Sequence, residues 1–371
     1  MYNSWVEISK SAILNNLAQY QKLVGSRVEI VPVIKSNAYG HGMFEIARLL
    51  SAKVKRFGVV SLGEALALKK LGIKNNIFVL SYAPGRYLSD GIKQGIELPV
   101  YDLNYAKIIS QVALKQRKEA KVHVKIDTGT SRIGIAPSQA EFFIKKIIMM
   151  PGLKVVGLYS HFADSENNPN YTKSQLKIFN NVVKDLEKNQ IKISDKHFAC
   201  SAASLVEPQA NFNLIRLGLG LYGLWPSAKV KNIIQKKYPW FKLKPALIWK
   251  TKIVQIKTIP AGAKVGYGST YQAKKEMKIA VLAAGYWEGY DRKLSNTGFV
   301  QIKNAVCSVV GRICMNLMMV DVSKIKSVKT GDEAILLGNK IPAEDLAKKI
   351  GTINYEVVTR INPLLPRMYI K

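Results

Sequence analysis

Lys35 ends the apolar run Ile30-Val31-Pro32-Val33-Ile34, and Ser36-Asn37-Ala38-Tyr39-Gly40-His41-Gly42 follow it. An ammonium at the end of a buried strand loses hydration. That position makes sense if the amine is used, and Schiff-base chemistry with a carbonyl cofactor is the leading use. The alternative is a lysine that snorkels to solvent. Other polar residues end comparable apolar runs: Lys125 and Asp127, His161, Ser201 and Arg216. After Arg216 comes the glycine-rich run Leu217-Gly218-Leu219-Gly220-Leu221-Tyr222-Gly223. Its backbone N–H groups suit an anion, and Ser201 can add a hydroxyl.

These residues need elements to bring them together. Short β-branched runs recur at Ile30–Ile34, Phe57–Val60, Ile77–Leu80, Ile96–Val100, Val122–Ile126, Val155–Tyr159, Lys196–Ala199 and Leu214–Arg216. Helical patterns lie between most of them, as at Ala12–Tyr20, Phe44–Ser51, Leu62–Leu71, Tyr105–Lys115, Ser138–Met149 and Thr172–Lys188. Strand and helix in alternation imply a parallel sheet. Eight strands in a stretch of this length suggest a closed (β/α)8 TIM-like barrel, in which functional residues sit at the C-terminal ends of strands. The chemistry-bearing residues fall at such ends. Beyond Trp225 the texture turns to strands separated by glycine-containing turns, with one helix expected at Ala343–Ile350. The expected organisation is an α/β barrel domain over residues 1–240 and a mostly β domain over 241–371, with roughly the first ten residues able to pack on the β domain.

At 371 residues and 48% hydrophobic composition the chain can bury a sizeable core. No apolar run approaches a membrane span, and the first ten residues do not read as a signal peptide, so a cytoplasmic location and no membrane partner are expected. Cys200, Cys307 and Cys314 have no metal spacing, and no metal is expected. The net charge of +31 raises an anionic partner such as nucleic acid. Nine lysines and no acid lie between Lys229 and Lys257, among Tyr238, Trp240, Phe241 and Trp249. Lysine is nevertheless spread through the whole chain and arginine is scarce, so a lysine-rich surface without a specific nucleic-acid partner is the preferred reading.

Taken jointly, Val33–Gly42, Lys125–Gly129 with Ser131–Gly134, Ser160–Ala163, Arg216–Gly223, Val265–Tyr271 and Gly311–Met315 resemble the bacterial alanine racemases, fold-type III enzymes that use pyridoxal 5′-phosphate. The tail Asn354-Tyr355-Glu356 with Arg360 and Pro366-Arg367 fits as well, so the resemblance spans essentially the whole chain. It implies a homodimer that interconverts L- and D-alanine, with D-alanine feeding peptidoglycan. Lys35 would carry the cofactor as an aldimine and act as base on one face of the substrate. Tyr267 from the other subunit would act on the opposite face, assisted by His161 and Arg216. Two acids of different type, one per face, remove and deliver a proton without rotating the intermediate. Tyrosine is a weak base at its reference pKa of ~10, so it needs such a relay. Arg216 would face the pyridine nitrogen; Tyr39, Ser201, Gly218, Leu219 and Tyr355 would hold the phosphate; Arg132 and Met315 would bind the substrate carboxylate. Lys125 matches a lysine that is often carbamylated, a change that lets it pair with Arg132. Tyr286, Arg292, Arg312 and Glu166 match the substrate entrance.

Two positions depart from the resembled pattern. Cys200 precedes the phosphate serine where asparagine is usual, and Asn316 follows Cys314-Met315 where aspartate is usual. Other readings are a racemase of broader specificity, a small pyridoxal-phosphate homeostasis protein, a decarboxylase of the same fold type, and a basic nucleic-acid-binding protein. The second domain and Tyr267 disfavour the homeostasis protein, and the Tyr267 and Cys314-Met315 segments disfavour the decarboxylase.

Overall fold

The computed structural model describes residues 3–83 and 85–371. The chain forms two compact units. One comprises Leu14–Ala38 and Met43–Lys244; the other comprises Met1–Ile13, Tyr39–Gly42 and Pro245–Lys371.

Strand β1 (Ser4–Ser9) belongs to the second unit. The first unit is built on β2 (Glu29–Pro32), β3 (Arg56–Val59), β4 (Asn76–Val79), β5 (Leu98–Val100), β6 (Ala120–Lys125), β7 (Leu153–Tyr159), β8 (Asp195–His197) and β9 (Leu214–Leu217). All neighbours are parallel: β2 pairs β9, β3 pairs β4, and β5, β6, β7 and β8 form a ladder. Single bridges Val33–Gly58, Phe78–Glu97 and Cys200–Arg216 join these pieces, so the eight strands close into a ring. Their apolar β-branched residues are buried almost continuously, as expected of strands covered on both faces.

Between strands the chain forms helices whose buried residues recur at helical spacing. Met43–Leu50 buries Met43, Ile46, Ala47 and Leu50. Leu62–Lys70 starts where Ser61 Oγ accepts the Glu64 N–H, and Pro169–Lys188 starts where Asn168 accepts the Tyr171 N–H with proline in the first turn. This is the α/β barrel expected from the rhythm of the sequence. The barrel unit also holds short helices at Leu88–Lys93, Ser201–Val206 and Ala228–Lys237, which are too short or too polar for a clear apolar period.

The second unit is mostly strand. It contains β10 (Leu247–Ile259), β11 (Lys264–Val265), β12 (Tyr271–Gln272), β13 (Met277–Leu282), β14 (Phe299–Ile302), β15 (Ala305–Ser308), β16 (Met318–Asp321), β17 (Glu333–Leu337) and β18 (Arg367–Ile370). The long β10 organises it. One half pairs antiparallel with β1 and β17, and the half from Ile253 to Ile259 pairs with β13. The sheet order is β15-β14-β17-β10-β1-β18, with β16 beside β13. A second helix, Asn354–Thr359, follows Ala343–Ile350, where the sequence suggested one. Its six residues are too few to show a helical period.

Candidate active site

Val33 and Ile34 carry the chain from β2 to Lys35, whose side chain is half-buried. Ser36, Asn37, Ala38 and Tyr39 then all adopt left-handed backbone, with φ of 54°, 54°, 53° and 55°. Such a conformation costs ~1–2 kcal/mol per non-glycine residue, so it persists only where neighbours fix it. Here the Ser36 N–H donates to Glu64 Oε1 at 2.7 Å, the Met43 N–H donates to Asn37 Oδ1 at 3.0 Å, and Glu64 Oε2 accepts the Val60 N–H at 2.8 Å. Glu64, at the start of helix Leu62–Lys70, therefore clamps the turn that follows the lysine. Burial lowers the Lys35 pKa and Arg132 adds to that, against a smaller opposing pull from Glu64.

Lys125, at the end of β6, is buried. Its pKa is pulled down to about 8, first by burial and then by Arg216 and Arg132, with Asp127 opposing. Asp127 does not neutralise this cluster. Its Oδ1 accepts the N–H groups of Gly129, Thr130 and Ser131, and its Oδ2 accepts that of Arg132. The carboxylate is thereby spent on shaping the loop that presents Arg132. His161, after β7, is held well below its ordinary pKa by burial and then by Arg216, Lys125, Arg132 and Lys35. Lys35, Lys125, Arg132, His161 and Arg216 are thus within electrostatic reach of one another at the strand ends of one barrel.

Arg216 lies in β9 and is 5% exposed. Burial pulls its pKa down to about 10. Its guanidinium is satisfied by neutral acceptors: the carbonyls of Ser160, His197 and Phe198 at 2.7–3.0 Å, His197 Nδ1 at 2.8 Å and His161 Nδ1 at 3.2 Å. A guanidinium only donates. His161 Nδ1 must therefore accept, which leaves the His161 proton on Nε2.

Ser201, after β8, is buried. Its Oγ accepts the N–H groups of Gly218 at 3.0 Å and Gly220 at 3.2 Å, so the glycine loop after β9 is tied to the start of helix Ser201–Val206. With both contacts accepted, the hydroxyl hydrogen is left to donate to an anion. Leu219, in the same loop, is also buried. Glu166 lies in the loop after β7, and burial raises its pKa, reinforced by Asp164.

The remaining expected site residues belong to the second unit. The Tyr39 and Tyr355 rings lie 6.3 Å apart, and Arg367 Nε donates to the Gly40 carbonyl at 3.1 Å, tying this short segment to the C-terminal residues. Tyr267 is 72% exposed, in a turn flanked by Gly266 and Gly268 at φ of 74° and 69°. A side chain at either glycine would press on Arg312, so the glycines seat the tyrosine turn against Arg312. Met315 is 55% exposed, and its carbonyl accepts the Trp287 N–H at 2.9 Å. The Cys314 carbonyl accepts the Tyr286 N–H, and Arg292 lies near enough to lower the Cys314 thiol pKa, although burial raises it overall. Asn316 Nδ2 donates to Glu288 Oε1 at 2.8 Å.

His197, His123 and Glu97 were not singled out from the sequence. His197 is a direct partner of Arg216, and the other two continue inward from it. The available signal was that two of the four histidines interrupt apolar barrel strands, where an unsatisfied imidazole would be costly.

A closed parallel barrel with a lysine, a buried arginine and a serine-bound glycine loop at its strand ends, accompanied by a strand-rich unit that exposes a tyrosine, defines a barrel enzyme. Residues 8–226 match the family profile "Alanine racemase, N-terminal domain", and residues 246–369 match "Alanine racemase, C-terminal domain". The chain belongs to the alanine racemase family. It is 42% identical to an alanine racemase of Clostridium perfringens over 99% of this chain and 95% of that protein, and 38% identical to one of Methanococcus maripaludis over 99% and 98%. Among solved structures, an alanine racemase of Clostridium difficile superposes with a TM-score of 0.94 at 35% identity, covering 100% of this chain and 96% of that one. One of Bacillus anthracis with bound L-Ala-P superposes with a TM-score of 0.92 at 32% identity, with the same coverage.

Proposed function

We propose that this protein is a homodimeric, pyridoxal 5′-phosphate-dependent alanine racemase that supplies D-alanine for peptidoglycan in the cytoplasm. The observation that carries the reading is the gathering of Lys35, Lys125, Arg132, His161 and Arg216 at the strand ends of one barrel, in a chain of this family. The donor set fits the cofactor. Lys35 offers an amine of lowered pKa, the Ser201 hydroxyl with the Gly218–Leu219 backbone suits a phosphate, and the cationic surroundings favour an anion. Tyr39 and Tyr355 would add hydroxyls to the phosphate. Bound there, the cofactor supplies an electron sink for negative charge at the substrate α-carbon.

The protein's own residues then do the following. Lys35 Nζ takes or returns the α-proton on one face. Tyr267 of the partner subunit does so at its hydroxyl on the other face. His161, with its proton on Nε2, can pass a proton to and from that tyrosine, while Arg216 fixes its Nδ1 as an acceptor. Arg216 would also offer a cation to the cofactor's pyridine nitrogen, which would disfavour its protonation and limit side reactions. Arg132 and the Met315 backbone hold the substrate carboxylate. Lys125 has a pKa of about 8, so part of it is a neutral amine able to react with CO2, and the resulting carbamate would pair with Arg132. Tyr286, Arg292, Arg312 and Glu166 would line the substrate entrance.

The direct test is L-alanine with protein and cofactor in D2O, followed by NMR and a chiral readout. Loss of the α-proton signal with D-alanine rising toward equal amounts is expected. Cofactor-loaded protein that exchanges no α-proton of alanine would overturn the reading.

A further inference from the structure

Behind Arg216 the barrel interior holds a row of polar groups that the reaction above does not use. Arg216 Nη1 donates to His197 Nδ1 at 2.8 Å, His197 Nε2 lies 3.0 Å from His123 Nδ1, and His123 Nε2 lies 3.0 Å from Glu97 Oε2. Glu97 is next to Arg56 Nε at 3.3 Å, and Arg56 Nη1 donates to Asp195 Oδ2 at 2.7 Å. The row therefore runs from β9 through β8 and β6 to residues at or just before the starts of β5, β3 and β8. Its two histidines are 0% exposed and Glu97 is 2% exposed. Tyr159 stacks on His197 at 4.9 Å, and Phe78 packs on both imidazoles at 4.2 and 5.4 Å. A side chain on Gly157 of β7 would collide with the His123 ring, so β7 gives up a side chain to admit it.

The direction of every bond in this row is forced. Arg216 cannot accept, so His197 Nδ1 must, and the His197 proton sits on Nε2. That proton can only be given to His123 Nδ1, which places the His123 proton on Nε2, facing the carboxylate. Burial and the Arg216 charge hold His197 far below its ordinary pKa, so it is neutral. Burial alone would raise the Glu97 pKa. The His123 hydrogen bond and the Arg56 charge outweigh it, and Glu97 stays an anion.

We infer that Glu97 and His123 are positioning residues for the cofactor-facing Arg216. The Glu97 carboxylate, acting through two neutral imidazoles of fixed tautomer, orients the guanidinium and partly balances its charge from deep inside the barrel. The functional part of this inference rests on the proposed placement of Arg216 against the pyridine nitrogen; the tautomer row does not. Arg56 and Asp195 anchor the far end, so the arrangement at the site is tied to ion pairing at the strand starts.

The test uses 15N-histidine labelling, which is tractable because the chain has four histidines. In cofactor-free protein, two-bond correlations are expected to show His123 and His197 both as Nε2–H tautomers. Glu97→Gln keeps the shape, removes the charge and permits the amide to donate. In that variant the His197 ring-nitrogen signals should move although His197 does not touch residue 97. In the pyridoxal 5′-phosphate-loaded variant the cofactor absorbance should shift, and kcat should fall about tenfold with KM for alanine changed less than twofold. An Nδ1–H tautomer or a charged ring at either position in the wild type would overturn the inference. So would a folded Glu97→Gln protein with unchanged His197 signals and cofactor band. If Glu97→Gln does not fold, Arg56→Lys read in the same two ways decides, with smaller shifts expected and no shift again overturning. The tautomer readout needs neither cofactor nor substrate, so its failure is distinguishable from failure of the racemase reading.

Discussion

The two compact units handle their chemistry-bearing residues in opposite ways. In the barrel unit Lys125, Ser201 and Arg216 are buried, and Lys35, Lys125, His161 and Arg216 all have lowered pKa values with burial as the first cause. Their positions are set by strands on every side, and the energy lost by burying cations without a free carboxylate is offset by hydrogen bonds to carbonyls and imidazoles. In the second unit Tyr267, Met315 and Tyr286 are exposed on turns. Their backbone is fixed by close packing at glycines while their side chains stay open. The first arrangement tunes reactivity. The second leaves its side chains open to solvent, as the shared site of the proposed homodimer would require. Substitutions in the barrel unit should therefore disturb spectra and stability as well as turnover, whereas those at the exposed side chains of the second unit should change stability little.

The largest effect is expected at the lysine. Lys35→Ala should reduce racemisation at least ~1,000-fold and abolish the covalent cofactor absorbance; a variant that keeps that absorbance would break the assignment. Tyr267→Phe should lower racemisation by ~100-fold or more while the cofactor stays bound. Because the side chain is exposed, its unfolding free energy should stay within about 0.5 kcal/mol of the wild type. Mixing inactive Lys35→Ala and Tyr267→Ala proteins should restore activity through heterodimers, and no recovery despite verified subunit exchange would show that each site is built from one chain.

Gly157→Ala should cost about 3 kcal/mol in denaturant unfolding, because the new methyl meets a close-packed imidazole with nowhere to move. Next in size is the pH response of Lys125. Its folded pKa of about 8 lies below its unfolded value of ~10.4. Below pH 8 the amine is charged in both states and the full penalty applies. From pH 8 to about 10 the unfolded state binds the extra proton, so stability rises with pH across that window. In bicarbonate-free buffer Lys125→Met should flatten the rise and stabilise the protein by about 1–2 kcal/mol at pH 7. With 13C-bicarbonate, wild-type protein should instead show a carbamate resonance that Lys125→Met lacks. The smallest change is expected at Asn316→Asp, which places a carboxylate beside Glu288 on an exposed surface and should cost at most about 1 kcal/mol by thermal unfolding.

The barrel was legible because β-branched runs buried on both faces alternate with helices of clear apolar period, and the strand-end polar residues stood out against those runs. Three features were not legible. Of the residues in the left-handed turn at Ser36–Tyr39 only Asn37 leans toward that backbone by type; the turn is held by Glu64, 28 positions away from Ser36, and by the Met43 N–H donated to Asn37. The His123–His197–Glu97 row reads locally as polar interruptions, and only barrel closure aligns residues from three strand segments. The pairing of β1 with β18 leaves no local trace, since each is an ordinary short strand until the other is beside it.

That last pairing has a consequence for the order in which the protein is made. Val6 pairs with Arg367 and Ser9 with Ile370, and the other neighbour of β1, β10, begins at Leu247. During synthesis β1 emerges ahead of the barrel strands, yet it waits for both partners until after residues 14–244 have left the ribosome. The barrel can close during that interval, because its own strands pair with near neighbours and one early-to-late contact, β2 with β9. The eight-stranded sheet of the second unit gains β18 only once Arg367–Ile370 are made, so a nascent chain stalled short of Arg367 would carry a closed barrel and an unfinished β unit.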